Sequence, residues 1–192
     1  FEFQYNDINS LKNLLDKEKD IKIVKMEVQR NEPPKNSYLK EIRNICNKKN
    51  IILIFDECTS GFRESIGGLH LKYDVMPDMI IMGKTLGNGY AISAVIGSDQ
   101  AMSGFPSTFV SSTFWTERIG PSAGIATLKR MRETKSWDLA SKNGRYFKSI
   151  LKQVCNLHNL QVDIHGLDSL LEYSFTGDQK NILRTYLTEQ ML

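Results

Sequence analysis

The chain of 192 residues carries 25 Lys and Arg against 22 Asp and Glu, a formal net charge of +3, and is 41% hydrophobic. That apolar content is enough for a sizeable core, and so slight a charge, with no basic run laced by aromatics, argues against a nucleic-acid surface. Three scattered cysteines, Cys46, Cys58 and Cys155, form neither a disulfide framework nor a metal-ligand set, and no two of the three histidines are closely spaced, so no metal site is expected. No charged leader precedes a long apolar core, and no run approaches the roughly 20 apolar residues of a membrane span. The expectation is a soluble protein of a reducing cytoplasm, with neither a membrane nor a nucleic-acid partner.

In chain order, Ile8, Leu11, Leu14 and Leu15 share one face of a helix over Asn9 to Leu15, with Asn9 or Ser10 placed to cap it. Ile21 to Met26 alternates as a strand and delivers Glu27 at its end. Asn31-Glu32-Pro33-Pro34 reads as a turn, after which Tyr38, Leu39, Ile42, Ile45 and Cys46 recur at helical spacing until Asn50, a plausible stop. Cys46 is expected in the core.

Ile51 to Phe55 is a continuous apolar run halted by Asp56-Glu57, the pattern of a strand covered on both faces in a parallel sheet. Strand, helix and strand make a βαβ unit. Gly67, Gly68 and His70 fall in a flexible connection, where His70 reads as a solvated loop histidine. Met79 to Met82 forms a second short strand, so Lys84 leaves it at a point comparable to Asp56. Ala91 to Ile96 reads as another buried strand, and Pro121 to Met131 as a helix of small residues. A longer helix from Trp137 to Leu157 carries Leu139, Tyr146, Phe147, Ile150, Leu151 and Val154 on one face. Short strands over Val162 to Ile164 and Leu170 to Phe175 follow, and Ile182 to Leu187 opens a final helix.

An acid and a lysine at the carboxyl ends of adjacent strands stand where open α/β sheets bind ligands. One chemistry for that pair is nucleotide hydrolysis, since IILIFDE resembles the magnesium-holding strand of P-loop ATPases and Gly83-Lys84-Thr85 the end of their phosphate loop. That loop requires a glycine where Asp78 stands, and it should precede the acidic strand. The other chemistry is an imine between a lysine and the aldehyde of pyridoxal phosphate, with a carboxylate keeping a proton on the pyridine nitrogen. FDECTSGFR, PDMIIMGKTLGNGYAISAVIG and STFWTERIGPSAGIATL resemble three successive signatures of the class III pyridoxal-phosphate-dependent aminotransferases, nearest to glutamate-1-semialdehyde 2,1-aminomutase-like members.

The resemblance implies an α/β chain of the fold type I transferase class: part of a mainly parallel-sheet large domain over residues 1–132 and the start of a small α+β carboxyl-terminal domain over 133–192. It implies amino transfer between a donor and a carbonyl acceptor through a link between Lys84 and the cofactor, with Lys84 also moving a proton on the substrate. An intramolecular aminomutase is the alternative, and a noncatalytic binding subunit a third reading that the presence of both Asp56 and Lys84 disfavours. Asp56 would serve the pyridine nitrogen, Cys58 would pack on the ring where the family usually has valine, and Thr59 would reach the phenolic oxygen. Thr113 would contact the phosphate across a homodimer interface, and Glu27 would lie on the substrate side, although Val28 replaces the usual proline. Phe114 to Arg118 departs from the glycines and asparagine of the aminomutases. The family's phosphate loop and stacking aromatic lie upstream of anything seen here, so the chain is expected to be an internal piece of a longer enzyme.

Overall fold

The computed structural model describes residues 1–114 and 116–191. Helix α1, Ile8–Lys17, begins at Asp7, whose Oδ1 accepts from the backbone N–H groups of Asn9 (2.9 Å) and Ser10 (3.2 Å). The cap therefore lies upstream of the expected Asn9 or Ser10: the Ser10 hydroxyl already accepts from the Gln4 N–H, and a carboxylate is the stronger acceptor for the orphan donors. Strand β1, Ile23–Glu27, alternates so that Val24 and Met26 are buried while Ile23 and Lys25 face out. Helix α2, Tyr38–Lys49, buries Tyr38, Leu39, Ile42 and Cys46 and stops at Asn50, which adopts the left-handed conformation at φ 53°.

Strand β2, Ile52–Glu57, runs parallel to β1 and sets Glu27 beside Asp56. Strand β3, Met79–Met82, is parallel to β2 with Ile81 beside Asp56, and β4, Ala94–Gly97, is antiparallel to β3, giving the order β1-β2-β3-β4. The expectation of a buried strand over Ala91 to Ile96 is not met. β4 forms the edge of the sheet among the described residues, and its Val95 and Ile96 are 44% and 52% exposed.

The main core joins α1 and α2 to one face of the sheet through Leu11, Val28, Ile42, Cys46, Leu53 and Phe55. Each such side chain contributes about 1.5–3 kcal/mol on leaving water. Asp78 fixes the entry to β3, because one carboxylate oxygen accepts from the Arg43 guanidinium of α2 (2.8 Å) and from the Leu53 N–H of β2 (2.7 Å).

After a short helix α3, Asp99–Met102, helix α4, Ile119–Thr134, ends at Lys135 (φ 48°) and α5, Ser136–Leu157, begins at once. Strands β5, Val162–Leu167, and β6, Leu170–Phe175, form an antiparallel hairpin, followed by α6, Lys180–Met191. A second cluster, Phe62, Met82, Leu86 and Met131 with Trp137 against it, ties the end of β3 to α4 and α5. On α5 the expected helical stripe is present, yet Leu139, Tyr146, Phe147, Ile150 and Val154 are exposed; the helix instead buries Ser141 and Cys155. Among the described residues, no helix is long and apolar enough to cross a membrane.

Candidate active site

The parallel register brings the carboxyl ends of β1, β2 and β3 to one edge, and the reactive side chains gather there. Asp56 is a quarter exposed and its Oδ2 lies 2.9 Å from the Lys25 ammonium, while Oδ1 accepts from the Cys58 backbone N–H at 3.2 Å. Burial acts to raise the Asp56 pKa, but the Lys25 hydrogen bond and charge and the Cys58 N–H together outweigh it, so the carboxyl is held below its usual range. Lys25 moves the other way, raised chiefly by its hydrogen bond to Asp56. Burial, then the adjacent Asp56 charge, push the Cys58 thiol up, which keeps it protonated and able to donate.

Lys84 follows Gly83 off the end of β3, and its Nζ donates to the Thr59 hydroxyl at 2.6 Å. Its backbone has φ 24°, a conformation that L side chains rarely adopt, in keeping with strain held at a functional position. Gly83 is needed for close approach: a Cβ there would meet the Cys58 sulfur at 3.0 Å. Beyond the lysine the chain turns sharply, with Asn88 at φ 46° and Gly89 at φ 108°, and a Cβ on Gly87 would lie 2.2 Å from the Tyr90 carbonyl oxygen. Cys58, Gly83 and Lys84 line a cleft of about 870 Å³ with Ile92, Val110 and Phe114.

Of the residues singled out in the sequence, Asp56, Cys58, Thr59 and Lys84 come together. Glu27 stands beside Asp56 in register but is drawn toward Arg30, 3.9 Å away. Thr113 is exposed; its neighbours Ser111, Ser112 and Phe114, rather than Thr113 itself, line the cleft with Lys84.

Two groups escaped the sequence reading. Lys25 is one, and its signal was present, since the alternation of β1 puts Lys25 and Glu27 on one face beside a strand that ends in an acid. The other is a buried pair. His70 is not a solvated loop residue: it is 3% exposed, in a 3-10 turn over Leu69–Tyr73, and its Nδ1–H donates to Glu57 Oε1 at 2.5 Å. Glu57, wholly buried, also accepts from the Ser60 hydroxyl and the His70 N–H (each 3.2 Å) and from the Leu69 N–H. The reason is pleating: Leu53, Phe55 and Glu57 occupy the buried face of β2, so this carboxylate enters the interior and gathers donors from the 3-10 turn.

A family model described as Aminotransferase class-III matches residues 31–190. The chain belongs to the class III aminotransferases. Among curated relatives of this family member, the 3-aminobutyryl-CoA aminotransferase of Cloacimonas acidaminovorans is 34% identical over 98% of the chain and 48% of its own length. A glutamate-1-semialdehyde 2,1-aminomutase of Methanosphaera stadtmanae is 30% identical over 92% of the chain and 43% of its own length. The chain thus spans about half the length of the curated relatives it matches. In fold it is similar to the FumI protein of Sphingopyxis sp. MTA144, solved in its PLP internal aldimine form, with a TM-score of 0.87 and 24% identity over 94% of this chain and 45% of that one. This class III chain is therefore α/β with the transferase fold, as its motifs imply.

Proposed function

We propose that this chain supplies the lysine and the ring-nitrogen acid of a pyridoxal-phosphate-dependent aminotransferase, which moves an amino group from a donor to a carbonyl acceptor. The observation that carries the reading is the meeting of two strand ends around Cys58-Thr59: Asp56 accepts from the Cys58 N–H, Gly83 packs on the Cys58 sulfur, and Lys84 donates to the Thr59 hydroxyl while lining the cleft. The donor set suits the cofactor: an ionised carboxylate for a protonated ring nitrogen, a primary amine for an aldehyde, and a thiol with apolar side chains beside them. When bound, the cofactor supplies an electron sink conjugated to the amine-bearing carbon of the substrate.

Asp56 would keep the ring nitrogen protonated, a role for which its depressed pKa suits it. Lys84 would hold the cofactor through its primary amine, and the same Nζ, when free, would serve as the base that moves the proton at the amine-bearing carbon of the substrate. Thr59 orients that amine through its hydroxyl. Cys58 fills the space beside the ring. Glu27 faces the substrate, and Thr113 reaches the phosphate bound by a second copy in a homodimer. Residues 1–132 belong to the large domain and 133–192 begin the small one, in a protein of the cytoplasm.

A second reading, intramolecular amino transfer, is favoured by the aminomutase relatives and uses the same residues. The test is to load the protein with pyridoxal phosphate, add amino donors without an acceptor, and follow conversion of the cofactor to its amine form. Stoichiometric conversion with release of a carbonyl product, abolished in Lys84→Ala, is the expected result. Isomerisation of a single amino-carbonyl compound with no released carbonyl would move the reading to the aminomutase, and no conversion with any donor or such compound would overturn both.

A further inference from the structure

We propose that Lys25 competes with the ring nitrogen for Asp56 and so sets how tightly the protein holds a charged pyridine ring. The inference rests on the pyridoxal phosphate reading and concerns a residue that touches neither substrate nor the reacting atoms. Lys25 is a positioning residue, acting through Asp56.

Geometry carries the argument. Lys25 and Glu27 share a face of β1, and the register with β2 brings that face alongside Asp56. Glu27 is drawn to Arg30, whereas the Lys25 ammonium reaches Asp56 Oδ2 at 2.9 Å. A carboxylate offers about four acceptor sites. The Cys58 N–H engages one oxygen and the Lys25 ammonium the other, so a ring N–H would share both oxygens with partners already in place. A protonated ring nitrogen seated there shares one anion with a second cation, and like charges on one carboxylate oppose each other.

The remaining charged groups do not cancel this. Glu27 lies nearer Arg30, at 3.9 Å, and Lys84 turns its ammonium to the Thr59 hydroxyl rather than to Asp56. The Lys25 side chain is 55% exposed, so it can swing into water as the ring arrives, and the contest is settled by affinity rather than by a steric block.

The test compares two ligands that differ only in ring charge: pyridoxal phosphate, and its analogue with C–H in place of the ring nitrogen. Their dissociation constants are measured by equilibrium dialysis against the intact protein, Lys25→Met and Lys25→Arg. Lys25→Met is expected to tighten pyridoxal phosphate about two- to fivefold, the scale of a partly exposed ion pair, and to leave the analogue with the neutral ring unchanged. Lys25→Arg should bind as the parent does. Carboxyl carbon NMR of Asp56 should show its pKa rise in Lys25→Met. An equal shift for both ligands, or none for either, with pyridoxal phosphate still linked to Lys84, would overturn the role of Lys25 alone. Failure of the parent to bind pyridoxal phosphate at all would overturn the proposed function, and this inference with it.

Discussion

Asp56 and Glu57 are consecutive carboxylates at the end of β2, and the pleat of one strand gives them opposite fates. Asp56 faces away from the core, a quarter exposed, and is held by the half-exposed Lys25 ammonium and by the Cys58 backbone N–H. Glu57 points inward, has no exposure, and draws four donors from Ser60, Leu69 and His70. Both are acids stabilised by hydrogen bonds, but only the first keeps a partner that can be exchanged. A site acid is thus marked less by its residue type than by whether its partners can leave. The inner carboxylate ties down the segment that carries Cys58 and Thr59, so the fold on one face of β2 positions the chemistry on the other.

The largest expected effect follows from removing each acid in turn. Glu57→Ala strands four buried donors and should cost on the order of 3–5 kcal/mol in urea unfolding. Asp56→Ala, at a rim that water can reach, should cost less than about 1 kcal/mol. Similar losses for the two would break the comparison.

A smaller effect is expected at Lys84, where the backbone rather than the side chain is tested. Because φ is 24°, Lys84→Gly should be more stable than Lys84→Ala by about 1 kcal/mol, the reverse of the order in ordinary helix or strand. Calorimetry of the two variants decides it, and the opposite order would remove the case for strain at the lysine.

The smallest effect concerns pH. Asp56 is depressed below its ordinary 3.8, so its contribution to stability is present above that value and is lost as pH falls through its folded pKa. Lys25 is raised above its ordinary 10.5, so its contribution is present below that value and lost as pH rises through its folded pKa. The stability difference between the parent and Lys25→Met should therefore be flat across the neutral range and shrink at both extremes. A difference that grows in acid would contradict the pairing.

Much of the sheet was legible because its signals are local. Cys46 and its companions at helical spacing, Asn50 as a left-handed stop, and the apolar run into Asp56 each depend on residues within a few positions, and α2, β2 and β3 lie where those signals put them. The motifs also brought Asp56, Cys58, Thr59 and Lys84 to one place. What was not legible depends on partners distant in the chain. His70 looked solvated because its acceptor, Glu57, lies in another element, although extending the alternation of Leu53 and Phe55 by one step would have sent Glu57 inward. Ala91 to Ile96 looked buried because its composition is that of an interior strand, and composition does not say which neighbours a strand has. Lys25 went unnoticed because a strand lysine between Val24 and Met26 reads as a solvated position until the parallel register places it against Asp56.

The most direct test of the central claim is to load the protein with pyridoxal phosphate, reduce it with borohydride, and map the modified peptide by mass spectrometry. Lys25 and Lys84 are both primary amines close to the carboxyl end of β2, one on Asp56 and the other on Thr59, so the choice between them is informative. Modification is expected at Lys84 and not at Lys25. Modification at Lys25, or at a lysine remote from Asp56, would contradict the assignment of cofactor lysine and exchangeable counter-ion on which the account stands.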